Sequence, residues 1–93
     1  MNILDNRIIA ILRDVDAENI VDVINALVGG GIISIEIPLN HSTPAAKAAS
    51  LRTIQKSHET FGDQIFLGAG TILSPEEAEA AANAGAKYII SPN

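Results

Sequence analysis

The sequence predicts an α/β fold in which four parallel strands alternate with three helices. Two observations carry this prediction. Short apolar runs rich in β-branched residues alternate with longer segments of helical periodicity, and capping or turn residues separate the two kinds of segment. Apolar runs of this length are typical of strands buried on both faces. The alternation implies right-handed crossovers between neighbouring parallel strands.

The four predicted strands are short runs dominated by isoleucine and leucine. They cover residues 7–12, 32–37, 64–67 and 87–91. Pro38 ends the second strand because it cannot donate a ladder hydrogen bond. The third strand is followed by the segment Gly68-Ala69-Gly70-Thr71.

The first predicted helix begins at Asp16, a favourable N-cap residue, and carries one apolar face. That face consists of residues spaced three or four apart: Ile20, Val23, Ile24, Leu27 and Val28. Gly29-Gly30-Gly31 ends the helix, because glycine readily adopts the left-handed conformation found at helix C-termini.

Capping residues also delimit the other two helices. Thr43-Pro44 predicts the start of a helix over residues 45 to about 58, with a loop at 61–63. Ser74-Pro75-Glu76-Glu77 has the form of a capping box, with serine at the N-cap and glutamate at the third helical position. Gly85 ends this alanine-rich helix.

Length and composition exclude several classes of protein. With 93 residues, 47% hydrophobic and 18% charged, the chain is predicted to form one folded unit over residues 1–93. The absence of cysteine excludes a disulfide scaffold and a thiolate metal site. A net charge of −5 and 3% aromatic residues argue against nucleic-acid binding. No apolar run reaches the ~18 residues of a membrane span, so we expect a cytoplasmic protein without a membrane partner.

Two architectures fit this order of elements, and the pattern alone does not separate them. One is a small open doubly wound sheet, and the other is four consecutive units of a (β/α)8 barrel. In both, chemistry takes place at the carboxyl ends of the strands. Arg13, Glu36, Thr71 and residues 91–93 all lie at such ends. The sequence therefore predicts a functional site at this edge of the sheet.

Glu36 has two interpretations. It could be a solvated rim carboxylate or the partner of a lysine. It is, however, flanked by Ile35 and Ile37 on a strand buried on both faces. A carboxylate is costly there unless it is hydrogen-bonded or protonated. The same burial raises its pKa toward the range useful for general acid/base catalysis, which makes Glu36 the leading catalytic candidate.

Arg13 and Thr71 are candidate anion-binding residues. Arg13 could pair with Asp14 or Asp16, or it could hold a substrate carboxylate or phosphate through two hydrogen bonds. The glycines before Thr71 would let a small substrate approach, so that its hydroxyl can donate to a carboxylate. They do not form a nucleotide-binding loop, because Leu73 breaks the GxGxxG pattern and the lysine of a P-loop is missing.

The histidines and lysines contribute little to the predicted site. His41, on the loop after the second strand, could contact substrate, whereas His58 lies near a helix end, where a cation is favourable. Lys47 and Lys56 are expected to be solvated helix residues, and Lys87 begins the fourth strand at the opposite end of the sheet. None is placed to act as an amine nucleophile. No cluster has metal-ligand spacing, so neither a metal nor another cofactor is predicted.

Four segments carry a resemblance to a known family. They are Ile-Ala-Ile-Leu-Arg at 9–13, Glu-Ile-Pro-Leu-Asn at 36–40, Gly-Ala-Gly-Thr-Ile-Leu at 68–73 and Ile-Ser-Pro-Asn at 90–93. In this order the chain resembles the first half of a 2-keto-3-deoxy-6-phosphosugar-acid aldolase. Gluconate-type members typically carry a threonine and an arginine where this chain has Pro38 and Asn40, so it is more similar to the galactonate type.

The resemblance implies the first four strands of a (β/α)8 TIM barrel, the amino-terminal half of an aldolase. It also implies a class I aldolase without a cofactor, which cleaves 2-dehydro-3-deoxy-6-phosphogalactonate to pyruvate and D-glyceraldehyde 3-phosphate. In the family a lysine on the sixth strand forms the Schiff base. That lysine would lie beyond Asn93, so we expect the 93-residue chain alone to be inactive.

By position, the resemblance also assigns roles to three residues. Glu36 matches the acid/base of the family, Thr71 matches a carboxylate-binding threonine, and Arg13 matches a substrate-binding arginine. Members of the family are commonly homotrimers, so a homo-oligomer is expected.

Other interpretations stay open at this point. The enzyme could be of the 2-dehydro-3-deoxy-6-phosphogluconate or 4-hydroxy-2-oxoglutarate aldolase type. The chain could instead be a non-catalytic half-barrel module that associates to cover its open sheet edges. A third possibility is another phosphosugar barrel, such as an epimerase or decarboxylase, but these typically use aspartate or lysine pairs at strand ends, and no such pair occurs here.

Overall fold

The computed structural model of the chain describes residues 8–92. Four strands and three helices alternate along it, which confirms the predicted order. The strands are β1 (Ile9–Ile11), β2 (Ser34–Pro38), β3 (Phe66–Gly70) and β4 (Tyr88–Ile89), and the helices are α1 (Ile20–Gly29), α2 (Pro44–Phe61) and α3 (Pro75–Ala84). Arg7 and Asn93, which the sequence places in the first strand and the fourth matching segment, lie outside the described residues.

The strand order decides between the two predicted architectures. The sheet runs β1-β2-β3-β4, and each neighbouring pair is parallel. A doubly wound sheet reverses its strand order part-way across, so that helices cover both faces. Here every crossover advances in one direction, and neighbouring helices pack against one another, α1 with α2 and α2 with α3. This is the arrangement of consecutive units in a (β/α)8 barrel.

The core lies between the sheet and the helices. Alternate residues of a strand point to opposite faces, so Ile35 and Ile37 of β2 point toward the helices, and both are buried. They pack in one cluster with Ile20 and Ile24 of α1 and Ile54 of α2. Glu36, the residue between them, therefore projects from the other face of the sheet.

That other face is apolar and open. Ile9 and Ile11 of β1 are in register with Ser34 and Glu36 and so share their face. They are 43% and 56% exposed, and Phe66 of β3 is 47% exposed. In a closed barrel this is the face that points inward, so exposed isoleucine and phenylalanine side chains fit a surface that packs against further strands.

The boundaries of several elements differ from the sequence prediction. The first helix begins at Ile20 rather than beside Asp16, and residues 17–19 before it form a turn. Within this turn the Asp16 carboxylate accepts hydrogen bonds from the backbone and side chain of Asn19. The predicted loop at 61–63 is wrong, since α2 continues to Phe61 and a 3-10 turn, Gly62–Gln64, follows it. β2 begins at Ser34, and β4 is shorter than predicted.

The largest boundary correction concerns Gly68, Ala69 and Gly70. The sequence places them directly after the third strand, but all three belong to β3, with Gly68 opposite Glu36 and Gly70 opposite Pro38. Glycine at these positions leaves room for neighbouring side chains. The aromatic ring of Tyr88 lies directly over Gly68, where a Cβ atom would overlap it.

Gly68→Ala is expected to destabilise the fold by about 1–3 kcal/mol, because the added methyl group overlaps a packed ring. The ring of Tyr88 stacks on Phe66 with centroids 4.8 Å apart, and its hydroxyl donates to the carbonyl of Ile35. It therefore cannot move without losing both contacts. Denaturant unfolding measures the effect. Gly29→Ala is the matched control, since no atom lies within 4 Å of a Cβ there, and equal stability of the two variants would contradict the prediction.

No helix within residues 8–92 combines the length and the apolar character that a membrane crossing requires.

Candidate active site

Glu36 lies in the middle of the sheet, between Ile11 of β1 and Gly68 of β3. The residue is 6% exposed, and its carboxyl group lies over Gly70, which has no side chain to displace it. Desolvation by burial raises the pKa of Glu36 above its ordinary value, and the positive charge of Arg13 offsets part of this rise. A raised pKa is the direction of change that favours general acid/base catalysis by a carboxyl group. The rim interpretation of Glu36 is therefore wrong.

Arg13 follows β1 in a tight turn with Asp14, whose φ is 60°. Within residues 8–92, no carboxylate lies within ion-pair distance of its guanidinium. Asp14 instead accepts a hydrogen bond from the side chain of Asn40, and Asp16 accepts from Asn19. The pairing with Asp14 or Asp16 that the sequence left open is absent, so the guanidinium can bind an anion.

Thr71 is the first residue after β3, and its backbone is strained. Its φ is 55°, in the left-handed region that β-branched residues rarely adopt. Such a conformation costs about 1–3 kcal/mol and clusters at functional sites. The strain supports a functional role for Thr71 independently of the sequence pattern.

The structure brings Arg13 and Thr71 to one cleft at the carboxyl edge of the sheet. This cleft, which we call the edge cleft, has a volume of about 270 Å³. Its lining residues come from the ends of three strands: Arg13, Asp14, Pro38, Leu39, Asn40, His41 and Thr71. Glu36 does not line it directly, but its carboxyl group covers Gly70, the neighbour of Thr71. Two of the three residues predicted from the sequence, Arg13 and Thr71, therefore meet in the edge cleft, and Glu36 lies against the residue that precedes Thr71.

Glu77 is a prominent polar residue at this edge, although its sequence pattern indicates only a capping residue. Its side chain is 10% exposed and binds three donors. These are the backbone N–H of Leu73 at 2.9 Å, Nε2 of His41 at 3.0 Å and Nζ of Lys47 at 3.2 Å. The bond from Leu73, partly opposed by burial and reinforced by the two side-chain donors, lowers the pKa of Glu77 to about 2.

Only one of the two hydrogen bonds of the predicted capping box is therefore present. Ser74 caps α3 as expected, since its hydroxyl accepts from the backbone N–H of Glu77 at 3.2 Å. The reciprocal bond from the serine backbone to the glutamate is replaced by one from Leu73. Local sequence could not reveal the partners, because His41 and Lys47 are 36 and 30 residues away.

Glu77→Gln is expected to weaken the acid dependence of stability. Glu77 has a pKa of about 2 in the folded chain against 4.5 unperturbed, so its stabilisation is complete above pH 4.5 and is lost as the pH falls toward 2. At pH 7 the variant should lose about 1–3 kcal/mol, because His41 and Lys47 lose a buried anionic partner. Thermal unfolding between pH 7 and pH 2.5 measures both effects.

The control for this prediction is Glu76→Gln, which neutralises an exposed carboxylate in the same first turn of α3. Wild type should lose its advantage over Glu77→Gln steadily below pH 4.5. Identical pH profiles for the two variants would contradict the assignment of a strongly acidic carboxyl group to Glu77.

Other predicted residues have structural roles. Lys47 is not merely solvated, because it binds Glu77, and His41 binds the same carboxylate while also lining the edge cleft. His58 lies in the last turn of α2, as predicted, with its ring over Gly85. Lys87 pairs with Asp63 before β3, at the end of the sheet away from the edge cleft. Among residues 8–92 no three His, Asp or Glu side chains are grouped to hold a metal ion.

The sequence matches the family described as KDPG and KHG aldolase over residues 2–93. The chain belongs to this family. KDPG and KHG denote 2-keto-3-deoxy-6-phosphogluconate and 4-hydroxy-2-oxoglutarate, and the resemblance stated from the four segments is confirmed.

Curated relatives include galactonate-type and gluconate-type enzymes. The chain is 34% identical over 86 residues to the 2-dehydro-3-deoxy-6-phosphogalactonate aldolase of Escherichia coli. The aligned region covers 92% of this chain and 39% of that enzyme. It is 33% identical over 86 residues to the 2-dehydro-3-deoxy-phosphogluconate aldolase of Treponema pallidum, which covers 92% of this chain and 38% of that enzyme. The chain thus spans about 40% of the length of these relatives.

Solved structures agree with the fold. A structure described as native KDPGal matches with a TM-score of 0.76 and 33% identity, over 91% of this chain and 38% of that one. A KDPG aldolase from Legionella pneumophila, with pyruvate captured as a covalent carbinolamine, matches with a TM-score of 0.72 and 28% identity, over 91% and 38%. These aldolases are TIM barrels, and the four-stranded parallel sheet with its alternating helices matches part of that fold.

Proposed function

We propose that this chain supplies the acid/base and substrate-binding half of a class I aldolase. The reaction is the reversible cleavage of 2-dehydro-3-deoxy-6-phosphogalactonate to pyruvate and D-glyceraldehyde 3-phosphate. The observation that carries the proposal is the position of Glu36, a buried carboxyl group with a raised pKa that feels the positive charge of Arg13 and lies over Gly70, the residue before the strained Thr71. Membership in the aldolase family supports the same reaction class.

The proposed chemistry needs a proton donor and acceptor at several steps. An amine adds to the keto carbon of the substrate to give a carbinolamine, which loses water to form an iminium ion. The C3–C4 bond then breaks, its electron pair moves toward the iminium nitrogen to give an enamine, and the C4 hydroxyl loses its proton as the aldehyde forms. We assign these proton transfers to Glu36, whose pKa is raised by burial.

Arg13 and Thr71 would orient the substrate. The hydroxyl of Thr71 is proposed to donate to the carboxylate of the pyruvyl part, and Arg13 to bind an anionic group of the substrate. Both line the edge cleft, and the carboxyl group of Glu36 lies over Gly70, the residue before Thr71. Fixed contacts of this kind hold the reacting carbon close to the acid/base.

The amine nucleophile is proposed to come from outside these 93 residues. The chain has three lysines. Nζ of Lys47 binds Glu77 and Nζ of Lys87 binds Asp63, while Lys56 is exposed on α2. None of them reaches the open face of the sheet beside Glu36. We therefore propose that residues 1–93 form the amino-terminal half of a barrel and that a later strand supplies the lysine.

Reductive trapping tests whether the amine nucleophile comes from outside these 93 residues. The 93-residue chain is incubated with pyruvate and borohydride, in parallel with a chimera in which it replaces the matched segment of the E. coli relative. Borohydride reduces an iminium to a stable amine, so mass spectrometry should find a pyruvate adduct on the chimera and none on the chain alone. An adduct on Lys47, Lys56 or Lys87 would overturn the proposal, as would an inactive but folded chimera.

The galactonate epimer is proposed as substrate because Pro38 and Asn40 replace the threonine and arginine typical of gluconate-type members. Both residues line the edge cleft, so they are placed to influence which substrate binds. Assaying the chimera with both epimers tests this point, with the wild-type E. coli enzyme as reference. A clear preference of the chimera for the gluconate epimer would contradict the assignment.

A further inference from the structure

The backbone around Thr71 is held by three hydrogen bonds. The N–H of Leu39 donates to the carbonyl of Gly70 at 3.0 Å, which fixes the residue before Thr71. The N–H of Ile72 donates to the carbonyl of Ile90 at 3.1 Å. A left-handed conformation costs a β-branched residue energy, and it persists only where the surroundings hold it in place. These contacts therefore explain how Thr71 keeps a φ of 55°.

The third hydrogen bond comes from a side chain. The N–H of Leu73 donates to Oε1 of Glu77 at 2.9 Å. Glu77 is itself fixed, because His41 and Lys47 bind its carboxylate from the loop after β2 and from the first turn of α2. The hydrogen bond that holds the segment after β3 therefore depends on residues of the neighbouring unit formed by β2 and α2.

We propose that Glu77, held by His41 and Lys47, is a positioning residue that keeps Thr71 in its left-handed conformation. The inference rests on the proposed function, in which the Thr71 hydroxyl binds the substrate carboxylate. Without the Glu77 carboxylate, the N–H of Leu73 loses its partner and the segment relaxes toward the extended conformation that threonine prefers. The hydroxyl then turns away from the edge cleft that it lines.

If Glu77 only stabilised α3 and did not position Thr71, its replacement would have a different effect. As the third residue of α3, it could simply stabilise the helix N-terminus. Ser74 separates the two roles, because its hydroxyl caps α3 by accepting from the N–H of Glu77 and takes no part in the Leu73 bond. Ser74→Ala should therefore weaken the helix by about 1 kcal/mol and leave Thr71 unchanged.

The test uses NMR of the 93-residue chain. A residue with positive φ gives a strong intraresidue NOE between its amide and α protons, and this signal reports Thr71 directly. We expect it in the wild type, in Ser74→Ala and in Glu77→Gln, whose amide oxygen still accepts from Leu73. We expect its loss in Glu77→Ala. Retention in Glu77→Ala, or equal loss in Ser74→Ala, would overturn the proposal.

Glu77→Asp covers the case in which Glu77→Ala does not fold. The aspartate keeps the negative charge at the helix N-terminus, but it is one methylene too short to reach Leu73 while it binds both His41 and Lys47. The Thr71 signal should weaken in this variant too. An unchanged signal in a folded Glu77→Asp chain would count against the proposal.

Kinetics of the chimera separate this proposal from the proposed function. Thr71→Ala should raise KM about tenfold with little change in kcat, as expected for the loss of one hydrogen bond to a charged group. Glu77→Ala should raise KM in the same way, and the double variant should be no worse than Thr71→Ala, because one residue acts through the other. Additive effects would overturn the positioning role. An unchanged KM in Thr71→Ala would instead refute the binding role of Thr71, which the NMR test does not address.

Discussion

Replacing Glu36 with glutamine should lower the turnover of the chimera by about 10²–10⁴-fold, the usual contribution of a positioned acid/base. Glutamine has nearly the same shape but cannot accept or release the proton. Substrate binding should change little, because Arg13 and Thr71 remain in the edge cleft. Steady-state kinetics with the galactonate substrate measure the effect. A kcat within threefold of the parent would remove Glu36 from the mechanism.

The same substitution should stabilise the fold at neutral pH. The pKa of Glu36 is raised by burial, so the folded chain binds this proton more tightly than the unfolded chain does. Stability is therefore lost as the pH rises from the ordinary pKa of 4.5 through the folded value, and the loss persists above it. Glu36→Gln lacks this loss. Its thermal midpoint should exceed that of the wild type at pH 7 and approach it below pH 4.

Glu79→Gln is the matched control for the stability effect, since Glu79 is an exposed residue of α3 away from the cleft. Its midpoint should follow the wild type at both pH values. A Glu36→Gln chain that is less stable than wild type at pH 7 would contradict the prediction. It would show that the folded state stabilises the carboxylate, whereas burial is expected to destabilise it.

Gly70→Ala is expected to reduce activity by about 10²-fold with little loss of stability. A Cβ atom at this position would overlap the carboxyl group of Glu36. The backbone there is an ordinary strand, so alanine fits the chain itself, and the flexible end of the Glu36 side chain moves instead. A displacement of about 1 Å can cost a factor of this size, because proton transfer depends on close geometry.

Two comparisons make this prediction specific. Gly68→Ala, two residues earlier, meets the packed ring of Tyr88 and should lose stability instead. The double variant Glu36→Gln/Gly70→Ala should be no less active than Glu36→Gln alone, since the methyl group acts only through Glu36. Multiplying losses in the double variant would mean that Gly70→Ala disturbs something other than the acid/base.

The sequence by itself determined the order of the elements, and it predicted the edge of the sheet where we propose that the chemistry takes place. Apolar runs and capping residues such as Thr43 and Ser74 are local signals, and the structure confirms both caps. Glu36 stood out because a carboxylate interrupts an isoleucine-rich strand. Since parallel strands end at the same edge, the sequence could also place Arg13 and Thr71 near it.

Only the tertiary structure decided which side chains meet. The strand order separated the barrel from a doubly wound sheet, and the register placed Gly70 beneath the carboxyl group of Glu36. The tertiary structure also brings His41 and Lys47 into contact with Glu77, and it holds Thr71 in a strained conformation. These contacts link residues far apart in the chain. Periodicity and capping report the backbone within a few residues, whereas such partners depend on how neighbouring βα units pack.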